Sequence, residues 1–331
     1  MITTPLTERL GIHHPIALGG MARATSAPLV AAVSEAGALG IMGASFLSTE
    51  EIRSAGAAIR ALTGAPFGMN LLLFASRDEH LEAVLACRPR VVATAWRRPD
   101  QDLRAVAERV RASGALFMHQ ADTLEEATSA AQAGADFIVA QGTEGGGHVG
   151  LMATLPLARM IVRAVAPVPV LAAGGIADGP GIAAALVLGA AGALLGTRFL
   201  ATTEAPLPDG YKRAIVASDG HDTLLTEIPD ILNGQVWPGA YARVLRNAFV
   251  EEWIGREGEL RRRRSDVLPT VQAARASGDA ARGSLLMGQD AGLVDAIEPA
   301  AALVARLAAE AETALRERAR ELLRGAAPTY G

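Results

Sequence analysis

Ala133-Gly134-Ala135-Asp136-Phe137-Ile138-Val139-Ala140 runs directly into Gln141-Gly142-Thr143-Glu144-Gly145-Gly146-Gly147-His148-Val149-Gly150, and the reading of these residues decides the architecture. Gly134 has the place of a helix-ending glycine, and the apolar run 137–140 after it reads as a short buried strand. His148 is therefore expected on a strand-to-helix loop. The glycines beside it remove neighbouring side chains and would let a flat ligand approach the backbone. A plain turn holding a structural histidine would look the same locally, so the rest of the chain has to decide.

The same pattern, a helix ending in glycine followed by an apolar run, recurs at Gly37, Gly114 and Gly189. Further strands are expected at 15–18, 67–72, 91–95 and 168–172, which brings the total to eight. Strands apolar on both faces and separated by helical stretches are the mark of a parallel sheet covered by helices. Ser26 with Pro28, and Ser48 with Glu51, give two of those helices their N-terminal signals. The spacing predicts an α/β fold, a (β/α)8 TIM barrel with a smaller insertion or lid domain toward the C-terminus. An open doubly wound sheet is the architectural alternative.

Composition fits that size of fold. The chain has 331 residues, half of them apolar, with a net charge of −4. The charge argues against nucleic acid or an anionic membrane as partner. Cys87 is the single cysteine, so no disulfide or cysteine metal cluster is expected, and a cytoplasmic location is. His13, His14, His80, His119 and His221 show no metal-ligand spacing.

The barrel is expected over 1–204. Pro206 and Pro208 then break the pattern, and 205–286 reads as an insertion of turns and short helices. Its Arg261-Arg262-Arg263-Arg264 run reads as a solvated helix face balanced by Glu257 and Glu259. Residues 287–331 should return to the barrel and end in an amphipathic helix over 299–323 that stops before Gly325.

Two more glycine clusters bear on chemistry. Gly174-Gly175 and Gly196-Thr197 follow the seventh and eighth expected strands, where barrels of this kind build phosphate sites. The G-x-G-x-x-G spelled by 145–150 lacks the acid expected ~20 residues on, since 151–177 holds no Asp or Glu. Asn70 and Gln120 each end a strand, where an amide could meet a heterocycle.

Together with Gly19-Gly20-Met21-Ala22, Phe67-Gly68-Met69-Asn70, Gly174-Gly175-Ile176-Ala177-Asp178-Gly179 and Met287-Gly288-Gln289-Asp290-Ala291-Gly292-Leu293, these segments resemble the nitronate monooxygenase (2-nitropropane dioxygenase-like) family of FMN-dependent barrels. That family also includes flavin enoyl-acyl-carrier-protein reductases. The resemblance implies FMN as cofactor, with its phosphate held at Gly174, Gly175, Gly196 and Thr197. Asn70, Gln120, Gln141, Gly146 and Gly147 would contact it as well, and Gly20-Met21 would lie near the ring's reactive edge. It implies His148 as the base that removes a proton α to a nitro group, with O2 as co-substrate and a carbonyl compound and nitrite as products. An ordinary imidazole, titrating near ~6.5, is competent for that.

Trp96-Arg97-Arg98-Pro99, after the fourth strand, departs from the small glycine turn common in the family and implies a reshaped substrate pocket, with Trp96 and Gln289 at its wall. Two other readings stand beside this one: an NAD(P)H-dependent flavin reductase of an enoyl thioester or quinone, and a non-enzymatic barrel that binds a phosphate ligand.

Overall fold

The computed structural model describes residues 2–237 and 239–324; Gly325, the expected helix stop, lies outside them. Eight parallel strands form the central sheet: β1 (Ile16–Leu18), β2 (Gly40–Gly43), β3 (Phe67–Leu72), β4 (Val91–Ala95), β5 (Leu116–Ala121), β6 (Phe137–Gln141), β8 (Val170–Ala173) and β9 (Gly192–Leu195). Between β6 and β8 the chain makes a short extra strand, β7 (Gly147–Val149), outside this sheet. The sheet closes on itself. β9 pairs with β1 in the register Ala17↔Leu194, and across the last gap Leu18 N–H donates to the Leu39 carbonyl at 2.9 Å. This is a TIM barrel, and the open doubly wound sheet is excluded.

Alternation along each strand sorts the core into two layers. Val91 and Ala93, Phe137 and Val139, and Leu171 and Ala173 fill the barrel interior, joined from one end by Leu6 and Leu10 of the helix Pro5–Leu10. Val92, Ile138 and Val170 face outward under the helices. Ser26 and the Ser48–Glu51 box cap their helices as the sequence indicates. Close helix-to-strand approach explains one glycine: a Cβ on Gly40 would stand 2.2 Å from the Val30 carbonyl.

The stretch beyond the barrel differs from its expected mixture of turns and short helices. It contributes β10 (Thr223–Thr226) and β11 (Tyr241–Leu245), which form an antiparallel sheet in the order β10-β11-β7. His148 therefore sits in a strand rather than a loop, paired with Ala242. A three-residue strand of Gly, His and Val carries no periodic signal, and its partner lies far along the chain. Behind this sheet, Ile228, Leu232, Val244, Phe249, Trp253 and Leu260 form a separate apolar cluster.

The arginine run lies on one helix, Glu257–Ser277, where Arg263 pairs with Glu259 at 3.2 Å and lies over the Trp253 ring. The closing helix is interrupted. An α-helical stretch, Ala300–Thr313, gives way to a wider π-turn at Ala314–Arg318 before the helix resumes. Leu303 and Leu307 are fully buried, as their spacing indicates.

Candidate active site

Side-chain amides line the barrel mouth. Gly20, Asn70 and Gln120 border a small cavity together with Ile41, Met118 and Val139. Asn70 donates from Nδ2 to the Gly20 carbonyl at 3.0 Å, and Gln120 donates from Nε2 to Gln141 Oε1 at 2.6 Å. Each amide is thus oriented by a neighbour. Gly20 has no room for a side chain, because a Cβ there would lie 2.4 Å from Asn70 Cβ.

At the ends of β8 and β9 the backbone forms a cradle. Gly174 and Gly175 have φ of 94° and 73°, a region that disfavours side chains. A Cβ on Gly174 would come within 2.8 Å of the Gly142 carbonyl, so the loops after β6 and β8 touch here. Beside Gly196, where the Met21 sulfur lies 3.4 Å from the Cβ position, Thr197 Oγ1 accepts the Gly288 N–H at 2.9 Å. Gly146 packs against the same Met287-Gly288 backbone. Glu144 accepts from Thr154 N–H at 2.9 Å, which fixes the glycine cluster to the following helix. Gln289 is exposed, and its backbone N–H donates to the Glu144 carbonyl at 2.9 Å.

Asp290 belongs to this cradle and carried no individual signal in the sequence. It is buried, and burial pushes its carboxyl up to about 7 against the lowering effect of its own backbone N–H and the Thr197 hydroxyl.

His148 lies on the side formed by the small sheet. Gly147 before it has φ 76°. The ring is fixed twice: Nε2 lies 2.9 Å from Asp230 Oδ1, and the face stacks on Trp237 with centroids 3.4 Å apart and planes 8° from parallel. Both partners of the polar contact are largely buried, with side-chain exposures of 11% and 8%. Trp237 continues into an aromatic wall, tilted on Phe74 at 4.7 Å and edge-on to Trp96 at 6.0 Å. Asp230, Trp237 and Phe74 escaped the sequence reading as site residues. The two indoles were visible as rare residues, but nothing local said that they meet.

The Trp96 turn is braced from behind. Trp96 has φ 54°, and its carbonyl accepts the Phe74 N–H at 2.9 Å. Next to it, Arg97 Nε reaches both oxygens of Glu126 at 3.0 Å. His119, fully buried, bridges Glu126 at 2.8 Å and Thr94 at 2.7 Å. Burial acts to raise the Glu126 carboxyl, but the bonds and charges of His119 and Arg97 outweigh it and hold the group below its ordinary range. A hollow of about 240 Å³ opens between Trp96, Arg97, Gln120, Asp122 and Gly239. Among the described residues no cluster suits a metal ion, and no helix is long and apolar enough to cross a membrane.

Known proteins with this architecture and sequence are consistent in kind. Residues 3–84 and 74–310 match the family model described as nitronate monooxygenase. Over 254 residues, 76% of this chain and 68% of the other, the sequence is 38% identical to a 5-hydroxy-7a-methyl-1-oxo-octahydro-1H-indene-4-carboxyl-CoA dehydrogenase of Mycobacterium tuberculosis. FabK from Thermotoga maritima superposes with a TM-score of 0.85 at 35% identity, over 98% of this chain and 99% of that one. Nitroalkane oxidase from Streptomyces ansochromogenes gives a TM-score of 0.80 at 32% identity, over 97% and 100%. The chain belongs to the nitronate monooxygenase family, and it is an oxidoreductase of the flavin-enzyme kind.

Proposed function

We propose that this enzyme binds FMN and oxidises alkyl nitronates and nitroalkanes with O2, releasing a carbonyl compound and nitrite. The observation that carries the reading is His148: an imidazole fixed at one nitrogen and one face, on the same barrel mouth as a glycine cradle and two pre-oriented amides. The cradle fits a phosphate-bearing ligand: the positive φ of Gly174 and Gly175 disfavours side chains, and a Cβ on Gly174 would meet the Gly142 carbonyl at 2.8 Å, so the backbone after β8 stays free of side chains as a phosphate site requires. Gly174, Gly175, Gly196 and Thr197 would hold the FMN phosphate. Asn70, Gln120 and Gln141 would meet the ring and ribityl, and Gly20, Met21, Gly146 and Gly147 would border it. When bound, FMN supplies the two-electron chemistry that no side chain here can.

The protein's own contribution is acid–base and steric. His148 takes the proton from the carbon α to the nitro group, and the C–H electron pair moves onto the C–N bond to give the nitronate. Trp237, Trp96 and Phe74 keep water from that carbon and shape the pocket for the alkyl group. Their packing supports Trp96 as a pocket residue; Gln289 is exposed and does not line the hollow beside Trp96.

A second reading is a reductase of an unsaturated thioester, in which His148 would return a proton instead of removing one. The similarity to FabK and to the CoA dehydrogenase favours it. Family membership sets aside the barrel that only binds a ligand. An anaerobic visible spectrum of the purified protein separates the two enzymes. Bleaching by propyl nitronate and not by NADH or NADPH is expected. Bleaching by a nicotinamide would transfer the assignment to the reductase, and failure to take up FMN would overturn both.

A further inference from the structure

We infer that Asp230 is the positioning residue of the site, holding His148 as the Nε2–H tautomer so that Nδ1 is the atom that accepts the substrate proton. The inference rests on the functional reading above for its kinetic part only. Asp230 comes from the helix Ile228–Asn233, outside the barrel, and is 6% exposed. Its side chain makes no other hydrogen bond among the described residues, so this buried carboxylate has the imidazole as its one polar partner, at 2.9 Å. A carboxylate only accepts, and the ring nitrogen facing it must therefore carry the proton. Removing that partner would leave an uncompensated buried charge, so the carboxylate and the imidazole hold each other in place.

The remaining nitrogen is left free. Nδ1 of His148 makes no hydrogen bond among the described residues, and it is not one of the buried polar atoms sealed without a partner. Trp237 lies parallel against the ring and fixes its plane, while a half-turn about Cβ–Cγ would put Cε1 in place of Nε2 at Asp230, so the Asp230 contact is what fixes which nitrogen faces outward. In the proton transfer, the substrate C–H bond breaks, its electron pair stays with the substrate as the nitronate, and the proton goes to Nδ1. The Nε2 proton remains on the ring, and the charge of the imidazolium is met by Asp230. The arrangement follows the logic by which a carboxylate orients a catalytic histidine in acyl-transfer enzymes.

The test has two readouts. In ¹⁵N-histidine-labelled FMN-bound protein at alkaline pH, the long-range ¹⁵N–¹H pattern of His148 should be that of the Nε2–H tautomer, and Asp230→Asn should shift it toward Nδ1–H. In the same variant, turnover of neutral 1-nitropropane should fall by ~10² to 10⁴-fold, the range for a base held in the wrong tautomer. Turnover of preformed propyl nitronate, which needs no deprotonation, should fall less than ~10-fold, since only the base contribution is lost. An Nδ1–H signal in the wild-type protein, or equal losses on the two substrates, would overturn the inference. Should Asp230→Asn fail to fold, the wild-type spectrum alone decides. Should the wild type turn over neither substrate, the functional reading fails and the tautomer still decides the role of Asp230.

Discussion

The barrel and the small sheet beside it are stabilised in different ways. In the barrel every strand pairs with parallel neighbours, and its interior is filled by Leu6, Leu10, Val91, Phe137 and Leu171. In the small sheet β10 and β11, close in sequence, pair with each other and with the distant β7, backed by the cluster around Phe249, Val250 and Trp253. The proposed cofactor cradle is written on the barrel, at the ends of β8 and β9. The partners of His148 come from the smaller region. On the proposed function, ligand holding and proton handling fall to different parts of the fold, and β7 is the strand that joins them.

The largest expected effect tests that division at its joint. His148→Asn should lower nitroalkane turnover by ~10² to 10⁴-fold while leaving the flavin-to-protein absorbance ratio unchanged, because the cradle does not include residue 148. Loss of flavin together with activity would merge the two regions into one site.

A second change probes the small region's independence. Trp253 is 1% exposed and its ring is approached by the guanidinium groups of Arg256 and Arg263. Trp253→Ala should remove about 3–5 kcal/mol of stability, as truncating a large buried aromatic does. If the region is a separate unit, denaturant unfolding followed by circular dichroism should become biphasic, the early phase abolishing nitroalkane turnover before flavin is released. A single transition at a lower midpoint would show the two regions unfolding together.

A third change concerns Asp290, beside the cradle. Its carboxyl titrates near 3.8 in an unfolded chain and is pushed up to about 7 in the fold, chiefly by burial. As pH rises between those values the unfolded chain loses its proton first, so stability falls over that window and levels off above it. Asp290→Asn should remove this decline, giving a higher Tm than wild type above about pH 7 and a smaller difference near pH 4. Parallel Tm profiles for the two proteins would show that Asp290 is not held neutral.

The barrel was legible because each of its units carries its own signals. Gly134 ends a helix, the apolar run 137–140 is a strand, and Ser48 with Glu51 caps the next kind of helix, all within a few residues. The small sheet was not legible in that way. β7 is too short to show alternation, and the strand formers Tyr241 and Val244 stand in a stretch rich in turn residues. The π-turn at Ala314–Arg318 shows no marker that distinguishes it from the helix on either side.

For the candidate site, residue types in their order single out His148, the glycine pairs Gly174-Gly175 and Gly196-Thr197, and the amides of Asn70 and Gln120 as proposed site residues, because glycine tolerance and strand-end position are local properties. Asp230 and Trp237 could be found only in the folded molecule. Asp230 stands 82 residues from the histidine it holds, and its meaning is a 2.9 Å contact that no local pattern encodes. By itself the sequence determined a barrel with a glycine-bordered histidine. The tertiary structure decided which nitrogen of that histidine is held and which aromatic ring covers its face, since both depend on side chains brought together by long-range packing.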